Sequence, residues 1–146
     1  MILISHRGNI NGPIPKLENN PFYISQAMDK GYSVEIDVWY DKGWWLGHDE
    51  PKYKITRQYL DKWEFWIHCK NLDALSRIGD ASSPKYFWHQ NDEYTLTSQG
   101  LIWTFPRKIL TKKSICVLPE MGSYTTKELK KCYGICSDVI EKYKNI

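Results

Sequence analysis

An α/β fold built on parallel strands is what this chain predicts, and three observations predict it. Short β-forming runs alternate with short helical runs along the whole length. Loops rich in Gly, Pro and Asn separate them, and histidines fall where the β-forming runs end. A doubly wound sheet and a barrel both fit that rhythm. The 146 residues suffice for one core and read as a single domain, residues 1–146. They fall well below the ~250 usual for an eightfold β/α barrel, so a barrel would have several helices cut to single turns or lost.

The elements follow in order. Residues 1–5 are apolar β-formers and read as a first strand. Gly, Asn and three Pro make residues 8–21 a loop. A helix starts at Pro21 or its neighbour and runs to about residue 30, where Gly31 ends it. Residues 33–40 alternate, with Val34, Ile36 and Val38 on one face and Glu35, Asp37 and Trp39 on the other. Asp41-Lys42-Gly43 is a turn into a short returning strand over 44–47. Residues 57–62 form a brief helix, 64–69 a strand, and 72–78 a helix stopped by Gly79. Further strands are expected at 85–89, 101–104, 114–118 and 133–136. A helix over 125–131 has Thr126 as its cap, and Ser137 caps a last helix to about residue 144.

Composition narrows the class. Ten Tyr and seven Trp in an otherwise ordinary globular mixture argue against disorder. No apolar run is long enough to cross a bilayer, and the run before His6 is too short for a signal peptide, so no stable membrane insertion and a cytoplasmic location are expected. The net charge of +3 is mild and its lysines are interleaved with acids, which speaks against a nucleic-acid partner. Cys69, Cys116, Cys132 and Cys136 form no CxxC pair and read as reduced packing residues.

The chemistry concentrates in a few residues. Glu35 and Asp37 lie two apart on a strand and so point the same way. Two acids on a buried face repel; a cation must lie between them or one must stay protonated. A divalent ion, Mg²⁺ or Ca²⁺ by oxygen preference, meets that need. On a solvent-facing edge strand the pair would need nothing. His6 and His48 end or follow strands beside the acids. Two histidines can divide the work of activating a nucleophile and protonating a leaving oxygen. Arg7 offers a planar cation for phosphate oxygens. His68 and Lys70 share one strand face. His89, Trp39 and Trp103 lie near strand ends and are candidates for the pocket wall, although core filling is the simpler role for the tryptophans. Asp138 reads as an N-terminal helix residue that could also reach the site.

Taken in order, His6-Arg7-Gly8, Glu18-Asn19, Glu35-x-Asp37 and His48-Asp49 resemble the signature of the glycerophosphodiester phosphodiesterases. The helix with Ala27 and the Gly31 before Glu35 match the same pattern. The resemblance is specific over residues 1–50. Beyond them, His68-x-Lys70 stands where the family has a Glu-x-Lys motif, and residues 134–138 resemble its last-strand motif.

The resemblance implies a compact, reduced (β/α) TIM-type barrel with short or missing helices, related to that of the phosphatidylinositol-specific phospholipases C. It implies a metal-assisted phosphoric diester hydrolase, with His6 and His48 as acid/base pair, Glu35 and Asp37 on the metal, and Arg7 and Lys70 on the phosphate. Its substrate would be a small phosphodiester: a glycerophosphodiester, a lysophospholipid head group or a phosphodiester-linked glycan.

The chain departs from the family where His68 replaces the third acidic ligand. Imidazole favours softer ions than Ca²⁺, so either His68 ligates a softer ion, Glu120 takes the ligand's place, or the site holds no metal. The last case would leave a catalytically reduced barrel that binds phosphate esters or glycans. Short helices would also leave apolar strand faces bare, which would favour a homodimer.

Overall fold

The alternation over residues 33–40 becomes the central strand of the protein. The structure is a computed structural model and describes residues 1–79 and 84–146. Strand β1 (Ile2–His6) lies parallel to β2 (Ser33–Tyr40), with His6 opposite Glu35. On the other side of β2, β5 (Phe65–Cys69) runs parallel, with Asp37 opposite His68. The parallel run continues outward from β5 to β6 (Lys85–Trp88). From β1 it continues through β10 (Gly134–Ser137) and β9 (Ser114–Val117) to β8 (Ile102–Thr104).

Three short antiparallel pairings complete the sheet. Past the point where β1 ends, β3 (Trp44–Leu46) folds back on β2, and β4 (Tyr53–Ile55) pairs with β3. At the far edge, β7 (Tyr94–Leu96) pairs with β8.

The TIM-type barrel that the resemblance implied is not what forms. One mixed sheet of ten strands is held by nine ladders, six parallel and three antiparallel. Nine ladders joining ten strands leave no ring closed among the described residues. The reason lies between β6 and β8. There the chain inserts β7, which pairs antiparallel with β8 and forms no ladder with β6. Ser98 spans the gap instead: its N–H donates to Tyr86 O (2.9 Å), and its hydroxyl accepts from Tyr86 N (3.0 Å). The open sheet is nonetheless strongly curled. Phe87 of β6 and Trp103 of β8 stand at opposite ends of the parallel run, yet their rings stack at 4.3 Å.

The curl gives the sheet an outer and an inner face. Val34, Ile36 and Val38 face outward into a core completed by Ile24 and Ala27 of α1 (Pro21–Asp29) and by Ala74 and Ile78 of α2 (Leu72–Ile78). Helix α1 starts where Asn20 accepts hydrogen bonds from the Phe22 and Tyr23 amides, as an N-cap does. Asn71 caps α2 and also clamps Tyr40, accepting from its N–H and donating to its carbonyl. The inner face carries a second apolar cluster, with Ile4, Trp66, Phe87, Trp103, Ile115 and Val117 among its members.

Helical content is small. The helix expected over 125–131 shortens to α3 (Thr126–Leu129), capped by Thr125 rather than Thr126 through a reciprocal box with Glu128. The expected last helix is one 3-10 turn, Ile140–Tyr143, and Ser137 belongs to β10. The 57–62 helix is likewise a 3-10 turn, Arg57–Asp61. All four cysteines are free and buried, and burial pushes the thiols of Cys69 and Cys116 up to about 12. No helix among the described residues is long and apolar enough to cross a membrane.

Candidate active site

Charged side chains sit on the inner face of the sheet, directly beyond its apolar cluster. Glu35 and Asp37 project from β2, His68 from β5 and His6 from β1. All four are poorly accessible to solvent, and Asp37 is fully buried. They meet because parallel register sets His6 beside Glu35 and Asp37 beside His68.

Arg7 joins them through a tight turn. Its φ is 54° and that of Gly8 is 93°, a left-handed pair that folds the chain back over β2. A Cβ on Gly8 would lie 2.8 Å from the Tyr23 ring, so the turn needs glycine. Arg7 Nε then lies 3.0 Å from Asp37 Oδ2, and its Nη1 lies 3.2 Å from Glu18 Oε2.

Asp37 is the most heavily supported group. Asn19 donates to its Oδ2 (2.9 Å) and accepts from its backbone N–H (2.9 Å). On the opposite oxygen, His68 Nδ1 stands at 3.0 Å and Lys70 Nζ at 3.5 Å. Burial alone would raise the Asp37 pKa. The imidazole of His68, then Arg7 and Lys70, outweigh it and hold this carboxyl well below the ordinary carboxylate range.

Glu35 goes the other way. Burial and the neighbouring charge of Asp37 raise its pKa, against the pull of His6, Arg7 and His68. One face of one strand thus carries an acid held ionised beside an acid pushed toward its neutral form.

Glu35, Asp37 and His68 each offer a ligand atom within 4.8 Å of the others, so the buried group could hold a metal ion. Two observations bear on the fit. Glu35 Oε2 and Asp37 Oδ1 are buried and accept no hydrogen bond. His68 Nε2 lies 3.0 Å from the carbonyl of His89, which can only accept, so this nitrogen carries the proton. Its Nδ1 is left facing Asp37 at 3.0 Å and Glu35 at 3.8 Å. A lone pair aimed at two carboxylates is unfavourable, so a second proton or a cation belongs there. An imidazole anchored by its far N–H to a backbone carbonyl is also how ligating histidines are usually held. The residues fit a metal.

His6 is oriented from behind. Its Nδ1 bonds Asp138 Oδ1 at 2.8 Å, and its Nε2 faces Glu35 Oε2 at 3.8 Å. Asn9 holds Asp138 in turn (2.8 Å) and also donates to Glu18 (2.9 Å). Burial would lower the His6 pKa, but the Asp138 bond and the Glu35 charge raise it.

His48 reaches the site by a different route. Antiparallel β3 returns along β2, and Gly47 turns the chain at φ 153°, where a Cβ would lie 2.0 Å from Glu50 O. His48 pairs with Asp49 at 2.7 Å, and burial together with Arg7 lowers its pKa.

A cleft of about 450 Å³ opens above these groups. Of the residues expected in the site, His6, Arg7, Glu35, His48, His68, Lys70, His89 and Trp103 line it, and Asp37 lies beneath. Trp103 is almost wholly buried and belongs mainly to the inner apolar cluster. Two expectations fail. Glu120 lies outside the carboxylate–imidazole group and bonds Ser137 Oγ and Asp138 N (both 2.9 Å), where it braces the end of β10. Trp39 turns its indole N–H to Gly47 O at 2.7 Å, where it supports the His48 turn and does not line the cleft.

Asn9 and Phe105 carry no marked sequence signal, and the site uses both. Asn9 follows the His-Arg-Gly turn and Phe105 follows a strand. No family model, curated protein or solved structure matches this chain.

Proposed function

We propose that this cleft hydrolyses a small phosphodiester with the help of a divalent metal on Glu35, Asp37 and His68. The observation that carries the reading is the convergence of that ligand trio with an oriented His6–Asp138 pair, His48, Arg7 and Lys70 around one cleft. Two carboxylates and one imidazole suit Mn²⁺ or Zn²⁺ better than Ca²⁺. When bound, such an ion polarises a phosphoryl oxygen and offsets charge in the transition state.

The chain's own residues would supply the rest. Arg7 presents its guanidinium to the phosphate, and Lys70 adds a second positive charge. The environments of His6 and His48 push their affinities for protons apart, the arrangement that separates acid from base. His6, with its proton affinity raised, is the better donor to the leaving oxygen. His48, with its affinity lowered, is the freer to accept from the attacking water or hydroxyl. Asp138 keeps the His6 ring turned so that Nε2 faces the cleft.

The test is turnover of a diester panel by chelated and metal-restored protein. Restored activity should follow a bell-shaped pH profile. Its acid limb falls below the ordinary imidazole value of 6.5 and its alkaline limb above it. His6→Ala should cost about 10²–10⁴-fold in rate and remove the alkaline limb. Full activity in both His6→Ala and His48→Ala would end the mechanism.

One observation favours a second reading. Arg7 and Lys70 already flank Asp37 with positive charge and His68 Nδ1 stands beside it, so the chain can neutralise this carboxylate by itself. A phosphate-ester-binding protein without turnover would then result. Calorimetry showing ester binding with no hydrolysis of any diester would select it.

A further inference from the structure

Arg7 and His48 line two hollows at once. One is the 450 Å³ cleft over the charged group. The other, of about 320 Å³, adds Glu18 and Asp49 to the same two residues. Two hollows that share this pair can serve as the two arms of one groove, with the proposed phosphate position at the shared pair as its waist.

The arms are chemically unlike. Beyond the waist, the larger hollow is walled by rings: Trp88, His89, Trp103 and Phe105. Phe105 is 45% exposed although its ring faces that of His89 at 5.3 Å, so an apolar face is left open at the mouth. Apart from His48 at the waist, the smaller hollow has no aromatic lining. Glu18, Asp49, Glu50 and Lys52 surround it, with Gly47 and Pro15. Water would solvate the second arm well and the first poorly.

We infer that the groove selects an asymmetric phosphodiester, with one flat-ring substituent against Phe105 and His89 and one short hydrophilic substituent beside Glu18 and Asp49. The inference rests on the phosphodiester reading and narrows it to a substrate class. Phe105 is its specificity-determining residue. A flat ring gains over an aliphatic one of equal bulk because ring faces stack, whereas a puckered ring offers only area. Loss of Phe105 removes the stacking surface without touching the charged floor.

The test is calorimetric binding of three non-hydrolysable methylphosphinates to the full chain. Their second substituent is phenyl, cyclohexyl or methyl. All three carry the same single negative charge, so they differ only in the arm. Phenyl should bind about tenfold tighter than methyl, as one stacked ring is worth, and cyclohexyl should fall clearly below phenyl. Phe105→Leu should remove the gap between phenyl and cyclohexyl, and Phe105→Trp should keep it. Because Phe105 is half exposed, neither change threatens the fold.

Equal binding of phenyl and cyclohexyl overturns the flat-ring arm, and so does a phenyl preference that survives Phe105→Leu. In both cases the phosphodiester reading stands. If none of the three binds, both inferences fall.

Discussion

The two faces of β2 put the same eight-residue strand to opposite uses. Outward, Val34, Ile36 and Val38 bury apolar area against α1 and α2, and nothing there needs a specific partner. Inward, Glu35 and Asp37 are as inaccessible as the valines but depend on named neighbours. Asp37 has Asn19, Arg7, His68 and Lys70, whereas Glu35 Oε2 accepts no hydrogen bond. Burial stabilises the first face through area alone. On the second it is unfavourable unless each charge is matched. The outer face therefore holds the fold together, and the inner face holds buried charges that depend on named partners.

Substitutions on the two faces should separate these roles. The largest effect should come from Asp37→Ala, which strands Arg7, Lys70 and the His68 imidazole around a buried gap. A loss of about 3–5 kcal/mol in denaturant unfolding is expected for breaking such a buried group. A loss under 1 kcal/mol would mean that the cations relax into water.

Ile36→Ala on the outer face should cost about 2–5 kcal/mol by cavity formation. It should leave the thermal shift produced by Mn²⁺ or Zn²⁺ intact. A lost shift would show that the two faces are coupled.

Glu35→Gln should behave unlike either. The folded state raises the Glu35 pKa, so its contribution to stability is fully present below the ordinary value of 4.5 and is lost as pH rises through the raised value. Glutamine carries no such penalty. In metal-free protein at neutral pH, the variant should match or exceed the parent in Tm, yet lose the metal-induced shift. Asp37 has the opposite linkage: its lowered pKa gives stability above the ordinary 3.8 that disappears as pH falls through the lowered value. Acid titration of Tm in Glu35→Gln isolates that limb.

The smallest effect belongs to Asn20→Ala, which removes the α1 cap. About 1 kcal/mol is expected, with the metal shift unchanged.

Much of this comparison was legible in the residues. The period of two assigned Val34, Ile36 and Val38 to one face and the acids to the other, because strand geometry leaves no alternative. Gly8 was readable as the start of a loop, whereas Gly47 was placed in the returning strand, which ends at Leu46. Strands β4 and β7 were not readable, since each has three residues and lies beside polar loops, where no period can be established. Glu120 was misplaced because a residue past a strand end can turn either way, and here the Ser137 hydroxyl and the Asp138 amide claim it. Asp138 was read as a helix residue because nothing local reveals that β10 lies beside β1, which is what brings it to His6.

The sequence by itself determined the strand rhythm, the two faces of β2, and the candidate set of acids, histidines and cations near strand ends. These are local properties, set by alternation and by residue chemistry. Only the tertiary structure decided that the sheet curls without closing, because closure depends on whether β6 meets β8, and β7 occupies that place. It alone also separated His6 from His48 and Glu35 from Asp37. Their proton affinities are set by burial and by charges that arrive from β1, β5 and β10, and no stretch of sequence holds those neighbours together.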